Sequence, residues 1–347
     1  MAVTSHDVAR LAGVSQPTVS RALRDQWGVS AATRRKVREA ARVLGYVPIQ
    51  AGRTLSTQTS GRIGIVSAEL SNPFYPALIE PVHDELARLG FRTILVTDRG
   101  HEPVELEPII DGSLDGVVLT TTELSSQLPY ELHRRGVPFV LLNRDTHEHV
   151  YDACVVNNHG GVRDLARLLL GLGHEKIGAI FGPDTTSTGL ERRAGFAQSL
   201  ERLGAGLPNS LTFNGSFSSA TGFQGFQYLW QSRPTAIFCA NDVIALGAMS
   251  AAASMGVRIP EDITLVGFDN IPMSGWEVFG LTTIGVSLEE MATAAVGMLI
   301  QRMDDPERSI QRLTMDPQVI LRSTHARPSG ENSAPTLFPS TTCSDHL

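Results

Sequence analysis

The tract Asp7-Val8-Ala9-Arg10-Leu11-Ala12-Gly13-Val14-Ser15-Gln16-Pro17-Thr18-Val19-Ser20-Arg21-Ala22-Leu23 carries the strongest chemical signal in the chain. Ala9 is small where two helices must cross closely, Gly13 supplies the turn, and Val8, Val14, Val19 and Leu23 fill a shared core. This is helix-turn-helix logic, with Gln16–Leu23 as the recognition helix. The plainer alternative is an ordinary αα-corner, and charge decides against it. Residues 1–60 hold nine Arg and Lys against three acids, a net of +6, whereas the remainder carries −13. A basic head on an acidic body points to a polyanionic partner for the head.

Catalytic signals are poor. The chain has no Walker loop, no G-x-G-x-x-G opening a first helix, no G-x-S-x-G elbow and no H-E-x-x-H. His147-Glu148-His149 has metal-ligand spacing, but it sits in a polar loop without a third ligand and reads as solvated. We therefore expect no enzyme, no catalytic residues, no metal and no cofactor. Asp269 differs in kind: it follows the apolar run Ile263–Phe268, at the strand end where open α/β sheets place ligand groups.

The elements that position these residues fall into two rhythms. Three short helices are expected first: His6–Ala12, capped by Thr4 or Ser5 with Val8 and Leu11 on one face; Gln16 to Leu23; and a third from the Ser30 cap to Leu44, ended by Gly45. Arg24–Val29 is a polar loop, and Tyr46–Gly61 is a linker. From Arg62 the pattern changes to strand–helix alternation. Expected strands are Ile63–Ala68, Arg92–Thr97, Gly116–Thr120, Pro138–Asn143, Lys176–Phe181, Ala236–Ala240 and Ile263–Phe268. Helices are expected near 76–89, 102–110, 124–135, 159–172, 188–203, 219–232 and 242–255. Repeated βαβ units predict parallel sheets covered by helices, too many for one sheet and hence two lobes.

The division is therefore residues 1–46 as a DNA-binding head, 47–61 as a hinge, 62–326 as a two-lobed body, and 327–347 as a disordered tail without leucine heptads. No apolar run is long enough to span a bilayer. The first seven residues reach a charge without an apolar stretch, and Cys154, Cys239 and Cys343 are odd in number and far apart. Both features fit a protein of the reducing cytoplasm.

The chain resembles the LacI/GalR family of bacterial transcriptional regulators. The resemblance runs from Thr4 to about Arg322. It rests on DVARLAGVSQPTVSRAL, VREAARVLGYVP, RIGIVSAELSNPFYPAL, LDGVVL, ERRAGF, AIFCANDVIALGAM, IPEDITLVGFDN and LTTI, whose order and spacing are specific together. It implies a helix-turn-helix head, a hinge and a body like a periplasmic sugar-binding protein. The function it implies is a homodimeric repressor of carbohydrate-utilisation genes, controlled by a small-molecule effector between the lobes.

Residue by residue, the resemblance places Gln16, Pro17 and Arg21 at base-reading positions. Arg21 suits guanine or, alternatively, a phosphate; Gln16 suits adenine, and Pro17 a thymine methyl. Ser15, Thr18, Ser20, Ser30 and Thr33 are expected at phosphates, and Arg24 replaces the usual asparagine. Arg53-Thr54-Leu55 matches a hinge whose leucine wedges into the minor groove of double-stranded DNA. Ile49 and Gly52 depart from the family's asparagine and alanine there. In the body, Arg192, Asn241 and Asp269 match effector-contacting positions, and Phe74, Tyr75 and Phe217 match pocket aromatics. Asn143 stands where many members have aspartate, and Trp276 belongs either to the pocket or to the lobe interface. Asn241 reads equally well as a helix cap; core packing is the alternative for Phe217, and pairing with Glu191 or an exposed acid is the lesser alternative for Arg192. A periplasmic-type solute-binding protein and a purine- or nucleoside-sensing regulator are the competing functions.

Overall fold

The computed structural model describes residues 3–23, 25, 27–46, 59–67, 70–97 and 107–328, the side chains of 107 and 108 excepted. Residues 1–60 and 61–347 form two compact units.

The described residues of the first unit form three helices. Thr4, not Ser5, caps α1 (Ser5–Ala12), in a reciprocal capping box with Asp7. Gly13 ends α1 at φ 67°, a left-handed conformation that glycine adopts without a Cβ clash. The turn leads into α2 (Gln16–Leu23). Ser30 caps α3 (Ala31–Leu44), and Gly45 closes it at φ 62°. Val8, Ala9, Val19, Ala22, Val37, Ala40 and Ala41 form the core. Leu11 does not join it: the seam of α1 runs through Val8, Ala9 and Ala12, which leaves Leu11 54% exposed.

The second unit contains two lobes. The first is built on β1 (Arg62–Ser67), α4 (Phe74–Arg88), β2 (Arg92–Thr97), α5 (Glu107–Ile110), β3 (Gly116–Leu119), α6 (Leu128–Arg134), β4 (Phe139–Asn143) and β5 (Ala153–Val156). The second holds α7 (Asn158–Gly171), β6 (Ile177–Phe181), α8 (Ser187–Arg202), β7 (Thr212–Asn214), α9 (Ser219–Trp230), β8 (Ala236–Cys239), α10 (Asp242–Ser254) and β9 (Thr264–Val266). The chain then passes β10 (Thr283–Gly285) and returns to the first lobe through α11 (Leu288–Asp304) and β11 (Arg312–Met315). It finishes with β12 (Gln318–Ile320), antiparallel to β10.

Strand order is β11-β5-β4-β3-β1-β2 in the first sheet and β7-β6-β8-β9 in the second. Every pairing in both is parallel. Side chains alternate across the first sheet as the pleat requires. Val140 and Leu142 face the large core that includes Leu78, Leu299 and the second lobe, and Phe139 and Leu141 face a smaller one with Ile109 and Leu132. Two of the crossings between lobes are tied together: Asn157 donates from its backbone to Met315 O (2.8 Å) and from Nδ2 to Asp316 (2.7 Å). No described helix is long and apolar enough to cross a membrane.

Candidate nucleic-acid interface and effector cleft

Helix α2 buries Val19 and Ala22 and exposes Pro17 and Arg21, four residues apart and therefore on one side. Thr18 and Ser20 flank them, half-buried. Gln16 is anchored at the helix start, donating from Nε2 to Ser5 Oγ at 3.3 Å. The Ser15 and Thr18 hydroxyls meet at 2.8 Å. At the start of α3, Ser30 Oγ accepts the Thr33 amide (3.1 Å) and meets the Thr33 hydroxyl (2.8 Å). That first turn carries no acid, so the positive helix end is unopposed. Arg24, Arg53 and Leu55, with Ile49 and Gly52, lie outside the described residues.

In the body, Phe74, Tyr75, Asn143, Arg192, Phe217, Asn241 and Asp269 line one cleft, together with Asn72, Arg144 and Thr188. Most of them follow the C-terminal end of a parallel strand: Asn72 after β1, Asn143 and Arg144 at β4, Thr188 beyond β6, Phe217 after β7, Asn241 after β8 and Asp269 after β9. Both sheets point their carboxyl ends into it, the arrangement in which α/β folds bind ligands. Two lining residues hold left-handed backbone, Asn143 at φ 72° and Asp269 at φ 109°. Such strain in non-glycine residues persists only where the surroundings enforce it, and it collects at functional sites.

Arg192 organises the second lobe's side. Its Nη2 pairs with Asp269 Oδ1 (2.8 Å), its Nε donates to Asn158 Oδ1 (2.9 Å), and its Nη1 donates to Ala240 O (2.8 Å). Its guanidinium also lies 3.8 Å from the centre of the Phe268 ring. The partner is Asp269, not Glu191, which instead accepts from Asn158 Nδ2 at 2.8 Å. Burial pushes the Asp269 carboxyl up, while Arg192 and Arg144 pull it back. Behind it Asp242 is wholly buried; burial, reinforced by the Asp269 charge, raises its carboxyl to about 8. Asn241 has two roles: its Oδ1 accepts the Ile244 amide (2.9 Å) to cap α10, and it also lines the cleft.

Trp276 is not among the lining residues. Trp276 is 56% exposed, and its ring stacks on Phe279 at 6.3 Å. Asn72, Arg144 and Thr188 join the cleft without a local sequence signal of their own, although Arg144 directly follows Asn143 and Asn72 lies two residues before Phe74. His149 Nδ1 lies 2.7 Å from Asp145, whose carboxylate also meets Arg312. The lobes touch at the cleft's lip: the Leu124 amide donates to Thr185 O (2.9 Å) and the Asp145 amide to Ser187 Oγ (2.9 Å). The cleft is closed enough to leave room for about one water molecule.

Residues 4–48 match the model of bacterial regulatory proteins of the lacI family, and residues 166–325 match a periplasmic binding protein-like domain. Across 334 residues, 94% of this chain and 98% of its counterpart, 33% are identical to the HTH-type transcriptional repressor CytR of Escherichia coli strain K12. The chain belongs to the LacI family. Among solved structures, the Lac repressor dimer bound to operator and the anti-inducer ONPF has a TM-score of 0.82. It is 27% identical over 94% of this chain and 100% of that one. The transcriptional regulator CelR–cellobiose complex has a TM-score of 0.71 at 29% identity, over 93% of this chain and 99% of that one. This LacI-family chain is thus a DNA-binding transcriptional regulator with an effector-binding body, and its relatives are repressors, not enzymes.

Proposed function

We propose that the protein is a cytoplasmic, homodimeric repressor of carbohydrate-utilisation genes, whose operator affinity is set by a sugar or sugar derivative held in the cleft. The observation that carries this reading is the cleft itself. A carboxylate, a guanidinium, amides and aromatic faces converge there from both lobes, in a chain whose head is a basic helix-turn-helix. Polar side chains suit hydroxyls, and ring faces suit the apolar side of a pyranose or furanose. The relatives that carry operator and cellobiose support the same assignment.

In this reading α2 enters the major groove. Arg21 grips a guanine through its two-pronged edge, Gln16 meets adenine, and Pro17 packs on a thymine methyl. Ser15, Thr18, Ser20, Arg24, Ser30 and Thr33 hold phosphates and fix the register. Arg53 and Leu55 act in the minor groove, where an apolar wedge kinks the duplex. Pairing of two heads on two half-sites calls for a dimer made by the body. The chemistry is binding alone: the cleft converts ligand occupancy into a change in lobe closure, and the linker carries that change to the head.

The test is an operator titration by fluorescence anisotropy, on a duplex the protein itself has selected from random sequences. Any sugar that calorimetry places in the cleft should shift operator affinity at least about 10-fold, the usual range of allosteric coupling. A cleft ligand that leaves operator affinity unchanged would refute the proposal.

A further inference from the structure

The cleft carries more positive charge than the Arg192–Asp269 pair neutralises. Arg144 follows Asn143 at the end of β4 and is 8% exposed, yet among the described residues it forms no ion pair. Its Nη1 donates to Thr121 O at 3.3 Å, and its guanidinium lies 5.7 Å from the Tyr75 ring and 5.8 Å from the Phe217 ring. Ring faces and a carbonyl offer partial negative charge, not a counter-charge. Among the described residues its Nε–H is buried without an acceptor, and next to it Asn143 Oδ1 is buried without a donor.

Among the described residues, the nearby acids have other partners as well or instead. Asp269 pairs with Arg192, and Asp145 is held by Arg312 and His149. Asp242 accepts from Thr283 and from the Ile271 amide, and Glu191 accepts from Asn158 without lining the cleft. Among the described lining residues the ionisable groups are Arg144, Arg192, Asp269 and the Tyr75 phenol, an excess of one positive charge. Arg144 also feels the Asp269 carboxylate, but Arg192 holds that carboxylate directly, and a buried cation with no counter-charge of its own is costly. A guanidinium edge with a free N–H is also the donor pattern that best fits a carboxylate or phosphate.

We propose that the effector carries an anionic oxyacid group, a phosphate ester or a carboxylate, on its sugar scaffold, and that Arg144 seats that group. The inference rests on the effector reading above and narrows it. Phe74, Tyr75 and Phe217 enclose the carbon skeleton, Asn241 and Asp269 take hydroxyls, and the anion neutralises Arg144.

Calorimetry on the full chain tests it with ribose, ribose 5-phosphate, glucose, glucose 6-phosphate and glucuronate, and with inorganic phosphate as the bare anion. At least one anionic sugar should bind 10-fold or more tightly than its neutral parent. Arg144→Gln should erase that advantage, and Arg144→Lys should keep part of it if the fold is intact. Ribose 5-phosphate and glucose 6-phosphate against glucuronate separate ester from carboxylate. Phosphate also meets the basic head, so its binding is read as the difference between wild type and Arg144→Gln. A neutral sugar that matches or outbinds its anionic form overturns the proposal, as does anion binding that Arg144→Gln leaves unchanged. If inorganic phosphate alone binds in an Arg144-dependent way, the anion seat stands and the sugar reading falls. If neither phosphate nor any anionic sugar depends on Arg144, the seat itself is refuted.

Discussion

Arg192 in α8 and Asp269 beyond β9 form an ion pair of 2.8 Å, with their side chains only 3% and 7% exposed. The pair faces the cleft, and the remaining guanidinium donors of Arg192 are taken by Asn158 and by the Ala240 carbonyl. One arrangement therefore braces the second lobe and presents a fixed carboxylate to a ligand. Removing either partner would strand a buried charge.

Asp269→Ala should consequently lose stability as well as ligand response. Breaking a buried pair from one side costs about 3–5 kcal/mol. Asp269→Asn keeps an acceptor for Arg192 and should lose less stability while still impairing ligand binding. Urea unfolding of both variants checks this, and a cost below about 1 kcal/mol for Asp269→Ala would show that the pair is not structural.

Arg21→Ala should weaken operator binding by about 1–3 kcal/mol and relax preference at one base position. Its exposed place on α2, in line with Pro17, is what allows it to reach a base edge. Selection experiments on random duplexes measure the change. An equal loss over all sequences would assign Arg21 to a phosphate.

Asp242 supplies a pH dependence. The unfolded chain's aspartate releases its proton near the ordinary value of 3.8, whereas the native carboxyl holds it to about 8. Between those values the native state binds more protons, so its contribution to stability is greatest below pH 4 and fades as pH rises to 8. Wild type should accordingly lose stability relative to Asp242→Asn as pH is raised from 4 to 8. Parallel stability curves for the two proteins would contradict that assignment.

Helices α9 and α10 approach so closely that side chains are excluded at their crossing. A Cβ on Gly222 would stand 1.8 Å from Ile244 O, and one on Gly247 would stand 2.0 Å from Ser219 O. Backbone cannot yield cheaply, so Gly247→Ala should cost at least the 1–3 kcal/mol typical of overpacking. A thermal melt reads this as a drop of several degrees; an unchanged midpoint would rule the close crossing out.

What the residues reveal in advance depends on how local the cause is. The head is legible because caps, the Gly13 turn and the small Ala9 act within a few residues. The strands around Asn143, Asn241 and Asp269 are legible because both faces are buried and the runs are apolar throughout. By contrast, β7 and β10 to β12 mix polar with apolar residues, β5 follows β4 with no helix between them, and β11 finds its place beside β5 only after the chain has returned from the second lobe. Helix α11, which makes that return, is not among the expected helices. Arg144 looks like an ordinary polar residue until the fold buries it, and Trp276 looks like a pocket aromatic until the fold leaves it outside. Charge balance and burial are tertiary facts, whereas strand-end position is written locally.

The central claim is that closure of the cleft controls the head, and reversible locking of the cleft tests it most directly. Glu123 in the first lobe and Thr185 in the second meet at the lip, Thr185 Oγ1 donating to Glu123 Oε1 at 3.3 Å. Cysteines placed at both positions, with Cys343→Ser, would close the lip by a disulfide. The native Cys154 and Cys239 thiols are buried and pushed up in pKa, which keeps them unreactive. With the bond verified by mass, operator affinity is measured on the same sample oxidised and then reduced. Control by the cleft predicts affinities that differ by at least about 10-fold; equal affinities in the two states would contradict it.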